Sequence, residues 1–112
     1  LTRAKRLLDL LGLAARAGRL VSGTDAVRGG VRDGKVRRVI MAADASDTQR
    51  RKLTPLLEAR RVPYTVVLTR DALGAAIGRG PASAIGLTDA NFAKRVGELV
   101  RGLSERDTEG GR

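Results

Sequence analysis

The sequence predicts an α/β fold with helices on both faces of a mostly parallel sheet, and three observations carry that prediction. Helix-like and strand-like segments alternate from Arg3 to Leu103, the pattern of strands joined by crossover helices. Val36 to Ala43, after Arg38, and Ala84 to Leu87 are short, nearly continuous apolar runs, as in inner strands covered on both sides. A chain of 112 residues without cysteine suits one domain whose hydrophobic core needs no disulfide.

The first element is a helix from Arg3 to Arg16. Ala4, Leu7, Leu8, Leu11 and Ala15 fall at helical spacing, Leu10 and Leu13 widen the stripe, and Gly18 is the stop. Leu20 and Val21 make a short strand. The stretch from Leu20 to Lys35 continues through a glycine turn into a helix ending near Gly34, with Ser22 and Thr24 as cap candidates. Helical spacing puts Ala26, Val27, Gly30 and Val31 on a packed side and Asp25, Arg28, Gly29 and Arg32 on a free side. The open helix start offers backbone N–H groups to an anion or acceptor. Arg28 and Arg32, one turn apart, flank bare backbone at Gly29 that a phosphate chain can approach.

After the strand from Val36 to Ala43, Asp44 to Asp47 reads as a turn. Ser46 or Asp47 caps a helix from about Thr48 to Arg60, with Leu53, Leu56, Leu57 and Val62 on its buried side. Pro55 lacks a backbone donor, so this helix is expected to kink or begin late. Val62-Pro63-Tyr64 leads into a strand from Thr65 to Leu68, and Asp71 caps a short helix through Ile77 closed by Gly78. Arg79-Gly80-Pro81-Ala82-Ser83 is a loop before the strand Ala84 to Leu87, and Thr88-Asp89 caps the last helix, from Ala90 to about Leu103. The domain is expected to span 1–103. The polar, glycine-ended stretch 104–112 is expected to be disordered.

Charge narrows the function. Lys and Arg number 22 against 12 Asp and Glu, a net +10. Leu1 to Arg38 holds ten basic and three acidic residues, +7 of that total. Such asymmetry is the footprint of a nucleic-acid partner; the rivals are an anionic membrane surface and an arginine-rich proteome. Tyr64 and Phe92 are the only aromatic residues, which disfavours base-stacking platforms and leaves backbone and groove contacts.

The same inventory argues against catalysis. Without histidine or cysteine, structural zinc sites, thiol chemistry and the usual proton shuttle are removed. Asp44, Asp47 and Asp89 are read as helix caps in preference to a magnesium cluster. Gly34-Lys35 lacks the spacing and the following Ser or Thr of a phosphate loop, and Gly78-Arg79-Gly80 lacks the third glycine of a dinucleotide fingerprint. No cofactor and no metal are expected. No apolar run approaches the roughly 18 residues of a membrane helix, so a soluble, cytoplasmic monomer is expected.

The string Leu-Gly-Leu-Ala-Ala-Arg-Ala-Gly-Arg-Leu-Val-Ser-Gly, Leu11 to Gly23, resembles the opening of YlxQ-type bacterial RNA-binding proteins, of the kink-turn-binding ribosomal-protein superfamily. Further matches follow in register: Gly34-Lys35, Val39 to Ala45, Val62-Pro63-Tyr64, Leu73-Gly74 with Ile77-Gly78, and Thr88-Asp89 with Phe92-Ala93. The resemblance spans Leu7 to about Val100. It implies a three-layer α/β/α sandwich around a four-stranded mixed sheet. RNA would be gripped by Ser22 to Arg32, by Asp44 to Arg50 and by Arg79 to Ser83.

Carried over residue by residue, the family's asparagine for sheared G·A pairs falls on Asp25, its glutamate on Ala26 and its lysine on Gly29. The acidic residue of the next turn falls on Ser46, and an apolar contact on Arg50. An aspartate accepts from a guanine amino group but does not donate as asparagine does. The scaffold is kept while the base-reading side chains change, and Arg28, Arg32, Lys35 and Arg50 are left to bind phosphates, which position without specifying sequence.

The expected RNA-binding set is therefore Arg19, Ser22, Gly23, Thr24, Asp25, Arg28, Gly29, Arg32, Lys35, Ser46, Arg50, Arg79, Gly80, Pro81 and Ala82. The expected partners are structured RNA, ribosomal RNA first, with the ribosome or a basic domain upstream of Leu1 beyond it. A protein-interaction adaptor on the same fold is the alternative reading.

Overall fold

The structure, a computed structural model, describes residues 2–103; the expectation for 104–112 lies outside them. Thr2 opens the first helix, its hydroxyl accepting from the Lys5 amide at 3.0 Å. Helix α1 (Arg3–Arg16) buries Leu7, Leu10, Leu11, Gly12 and Ala14 and closes on Gly18, whose φ of 69° is the left-handed stop expected there. Leu13 does not join the stripe. It is 47% exposed.

Strand β1 (Leu20–Ser22) leads through Gly23 into α2 (Thr24–Arg32), and β2 (Arg38–Met41) follows. Only Thr24, Val27 and Val31 of α2 are buried. Ala26, expected on the packed side, is exposed. Gly30 does pack: a Cβ there would stand 2.5 Å from the Val36 side chain in the turn before β2, so α2 lies too close to that turn for a methyl group unless Val36 shifts.

Helix α3 (Asp47–Ala59) runs through Pro55 and begins before it, so the late start expected does not occur. The carbonyl that a residue at 55 would pair belongs to Arg51, an exposed residue beside solvent, which can take the place of the missing donor. Ser46 is the cap, accepting from the Gln49 amide at 3.2 Å. Strand β3 (Tyr64–Val66) ends two residues short of the expected Leu68, because Leu68 turns the chain with a φ of 66°.

Helix α4 (Arg70–Ala76) is capped by Thr69 and not by Asp71, with the Ala72 amide 3.1 Å from the Thr69 hydroxyl. Asp44, 26 residues earlier, also accepts from the Arg70 amide at 2.8 Å. Strand β4 (Ala84–Leu87) and α5 (Ala90–Val100) complete the chain, with Asp89 accepting from the amides of Asn91 and Phe92 as expected.

The strand order is β1-β4-β2-β3. β2 pairs parallel with β3, while β4 lies antiparallel between β1 and β2. The sheet is mixed and not mostly parallel. The physical reason is the route of the chain: the stretch after α4 returns to the end of the sheet at which β1, β2 and β3 finish, so β4 must run against them. α2 and α3 pack together, and α1 packs with α4 and α5, which gives the three-layer α/β/α sandwich.

Candidate nucleic-acid interface

This topology gives the sheet two unlike ends. At the exit end, β1, β2 and β3 finish and β4 begins; at the entry end the reverse holds. Helices α2, α3 and α4 each follow one of the exiting strands, so three helix N-termini collect at the exit end. Each carries partial positive charge, and side-chain caps satisfy part of the first-turn N–H groups of α3 and α4.

The start of α2 is left open. Gly23 occupies the cap position with φ 95° and ψ 146°, and no side chain accepts from the first-turn amides. Ser22 and Thr24, the expected cap candidates, have other roles. Thr24 is 8% exposed and packs inward. The Ser22 hydroxyl accepts from Arg79 Nη1 at 3.0 Å, joining the end of β1 to the 79–83 loop. Gly23 itself donates to the Ala84 carbonyl at 2.9 Å.

That loop is held from beneath. The Arg79 amide donates to the Gly74 carbonyl at 2.8 Å and the Ala82 amide to the Arg70 carbonyl at 3.0 Å. Gly80 and Pro81 are exposed, but Ala82 is buried at 5%, so its side chain belongs to the core. Gly74 lies directly under Gly80 and Pro81. The sequence reading quoted it within the family resemblance but gave it no role under this loop.

On the free face of α2, Asp25, Arg28 and Arg32 are exposed and Gly29 is half-buried. The Asp25 carboxylate, 93% exposed, lies 4.0 Å from Lys52 Nζ on α3. Nothing in the sequence signals this pairing across 27 positions. Ser46 is exposed, but its hydroxyl is engaged as the α3 cap. Arg50 turns inward: its guanidinium donates to the Ala43 carbonyl, and its Nε is buried without a partner. It braces the turn after β2 and offers only part of its charge to a ligand.

Arg19 and Lys35 precede the entering strands and lie at the entry end, away from Gly23, Ser46 and the 79–83 loop. Arg32 closes α2 at that end, and its carbonyl accepts from Arg60 Nη1 at 2.9 Å. Two further groups titrate off their ordinary values. Arg38, half-buried against Gly97, is held below the usual guanidinium range by burial and then by the charge of Arg101. The Tyr64 hydroxyl is raised by burial, then by its 3.1 Å bond to Glu58 and that carboxylate's charge.

Gly29 offers a clean probe of the helix face. A Cβ there meets nothing within 4 Å, so Gly29→Ala is expected to stabilise the fold by about 0.5–1 kcal/mol through helix propensity. If the bare backbone is where a phosphate chain approaches, the same variant binds RNA more weakly. Thermal melting and RNA titration of one variant separate the two effects.

The family model for "Ribosomal protein L7Ae/L30e/S12e/Gadd45 family" matches residues 5–97. RNA-binding protein YlxQ of Bacillus subtilis is 36% identical over 91 residues, covering 81% of this chain and 91% of that protein. Large ribosomal subunit protein eL8 of Thermoplasma volcanium is 29% identical over 77% of this chain and 72% of its own. Among solved structures, the Giardia lamblia 15.5kD RNA binding protein superposes with a TM-score of 0.75 at 26% identity, covering 90% of this chain and 87% of that one. With the family model spanning most of the chain and the fold shared, this protein belongs to the ribosomal protein L7Ae/L30e/S12e/Gadd45 family.

Proposed function

We propose that the protein binds structured RNA without catalysing a reaction on it, and that the RNA is a kink-turn or a ribosomal RNA element. The observation that carries this reading is the exit end of the sheet, where the uncapped start of α2, the start of α3 and the 79–83 loop meet. The printed names of the YlxQ, eL8 and Giardia relatives support it. Arg28 and the open amides of α2 would contact phosphates, and the Gly80-Pro81 tip would fit shape. Asp25 would accept from a guanine amino group, within the limit its chemistry sets.

If about five phosphates are neutralised, log affinity falls with log salt with a slope of roughly −3.5 to −4.5. Arg28→Ala is expected to weaken binding to every RNA about equally and to reduce that slope by roughly 0.7–0.9. Filter binding at several salt concentrations reads both quantities. A loss confined to one RNA would instead assign Arg28 to base reading.

A further inference from the structure

On the RNA-binding reading above, we propose that the entry end of the sheet is a second RNA-contacting surface. Arg19, Lys35, Arg37 and Arg61 there hold the phosphates of a further segment of the same RNA. Arg19 precedes β1, Arg37 precedes β2, and Arg61 lies three residues before β3. Since β1 and β3 are the outer strands of four, these cations span about 14 Å at the usual strand spacing of roughly 4.8 Å. That spread fits a polymer of phosphates better than a single small anion.

Their backbones are pinned. The Arg19 amide donates to the Ala14 carbonyl at 2.8 Å, Lys35 to Gly30 at 2.9 Å, Arg37 to Leu87 at 2.7 Å and Arg61 to Glu58 at 3.2 Å. All four side chains are exposed, and none forms an ion pair among the described residues. The neighbouring carboxylates are largely engaged: Glu58 accepts from Tyr64, and Asp89 caps α5. Asp33 is the exposed exception. Arg32 and Arg60 have an ordinary explanation in helix C-terminal electrostatics and the bond between them, but they add to the same field.

Arg61 supplies an independent argument. The residue after the C-cap is glycine in the other four helices, Gly18, Gly34, Gly78 and Gly102, with φ between 69° and 83°. In α3 alone it is an arginine, held at φ 56°. Glycine takes this conformation without the steric cost an L side chain incurs. An exposed arginine thus stands at a strained position where glycine is easier, and its guanidinium faces solvent at this end of the sheet.

The test compares the wild type, Arg61→Gly and the triple change Arg19→Ala/Arg37→Ala/Arg61→Gly on two RNAs. One is a kink-turn with minimal stems, and the other has one stem lengthened by about a helical turn. Arg61→Gly is expected to melt at or above the wild-type temperature, which excludes misfolding as the cause of lost binding. The wild type should bind the lengthened RNA more tightly. The triple variant should lose that gain, on the order of tenfold, with a salt slope shallower by roughly 2–3.

Its binding to the minimal RNA should change little near physiological salt, where screening acts over about 8 Å. Equal loss on both RNAs, no gain from the longer stem, or a gain that survives the triple change would each overturn the second surface. So would displacement by an acidic peptide without any effect of stem length, which would give these cations to a protein partner. Arg28→Ala is the control at the exit end. If it leaves both RNAs unaffected while the triple change acts, the first reading fails and the second surface stands.

Discussion

Gly74→Ala is expected to destabilise the protein by about 1–3 kcal/mol and to weaken RNA binding at the same time. An added Cβ would overlap the Gly80 carbonyl oxygen and stand 2.7 Å from its carbon and 3.0 Å from Pro81 Cα. These are backbone atoms, so no rotamer change relieves the overlap. α4 and the 79–83 loop must move apart, straining the Arg79–Gly74, Ala82–Arg70 and Arg79–Ser22 bonds that hold the loop in place. Gly80→Ala is the matching control, because a Cβ at Gly80 meets nothing within 4 Å. Melting temperature measured on both variants checks the account, with RNA affinity read on Gly74→Ala; equal melting of the two would contradict it.

The second large effect is expected at Gly23. Its φ of 95° with ψ of 146° lies in a region that essentially only glycine occupies. Gly23→Ala meets no atom within 4 Å, so its cost is purely conformational, about 1–3 kcal/mol. Relief of that strain would turn the two peptides that meet at Gly23, whose amide donates to the Ala84 carbonyl and whose carbonyl accepts from the Val27 amide. The start of α2 would re-aim. RNA affinity is therefore expected to fall at least tenfold, whereas Gly29→Ala, six residues along the same helix, raises stability. Opposite signs in stability for two Gly→Ala changes in one short segment would separate backbone strain from helix propensity by melting alone.

Local chemistry was legible in the sequence where it was written within a few residues. A cap at Ser46 or Asp47, another at Thr88-Asp89, the stops at Gly18, Gly34 and Gly78, and the apolar stripe of α1 follow from side-chain type and spacing. Strand direction was not, because an apolar run such as Ala84 to Leu87 reports burial and carries no sign of which way it runs. The mixed character of the sheet came from the family resemblance and not from periodicity, and the insertion of β4 between β1 and β2 was read from neither.

The direction of β4 also decides the site. It brings Arg79 to Ser22 across 57 positions, and it places Arg19 and Lys35 at the opposite end from Gly80 and Pro81. A count of basic residues in the first third of the chain could not divide them between two surfaces. Arg50 illustrates the same limit: its charge was visible, but its bond to the Ala43 carbonyl depends on how the 43–46 turn folds back on α3.

The most direct test of RNA recognition at the exit end is a salt titration of binding to two short RNAs, one containing a kink-turn and one a matched plain duplex. Tighter binding to the kink-turn at every salt concentration is the predicted result, with Asp25, the open α2 start and the glycine-proline tip reading RNA shape. Equal binding to both RNAs, with the same steep salt dependence, would contradict it and leave only the attraction of a +10 chain for phosphate.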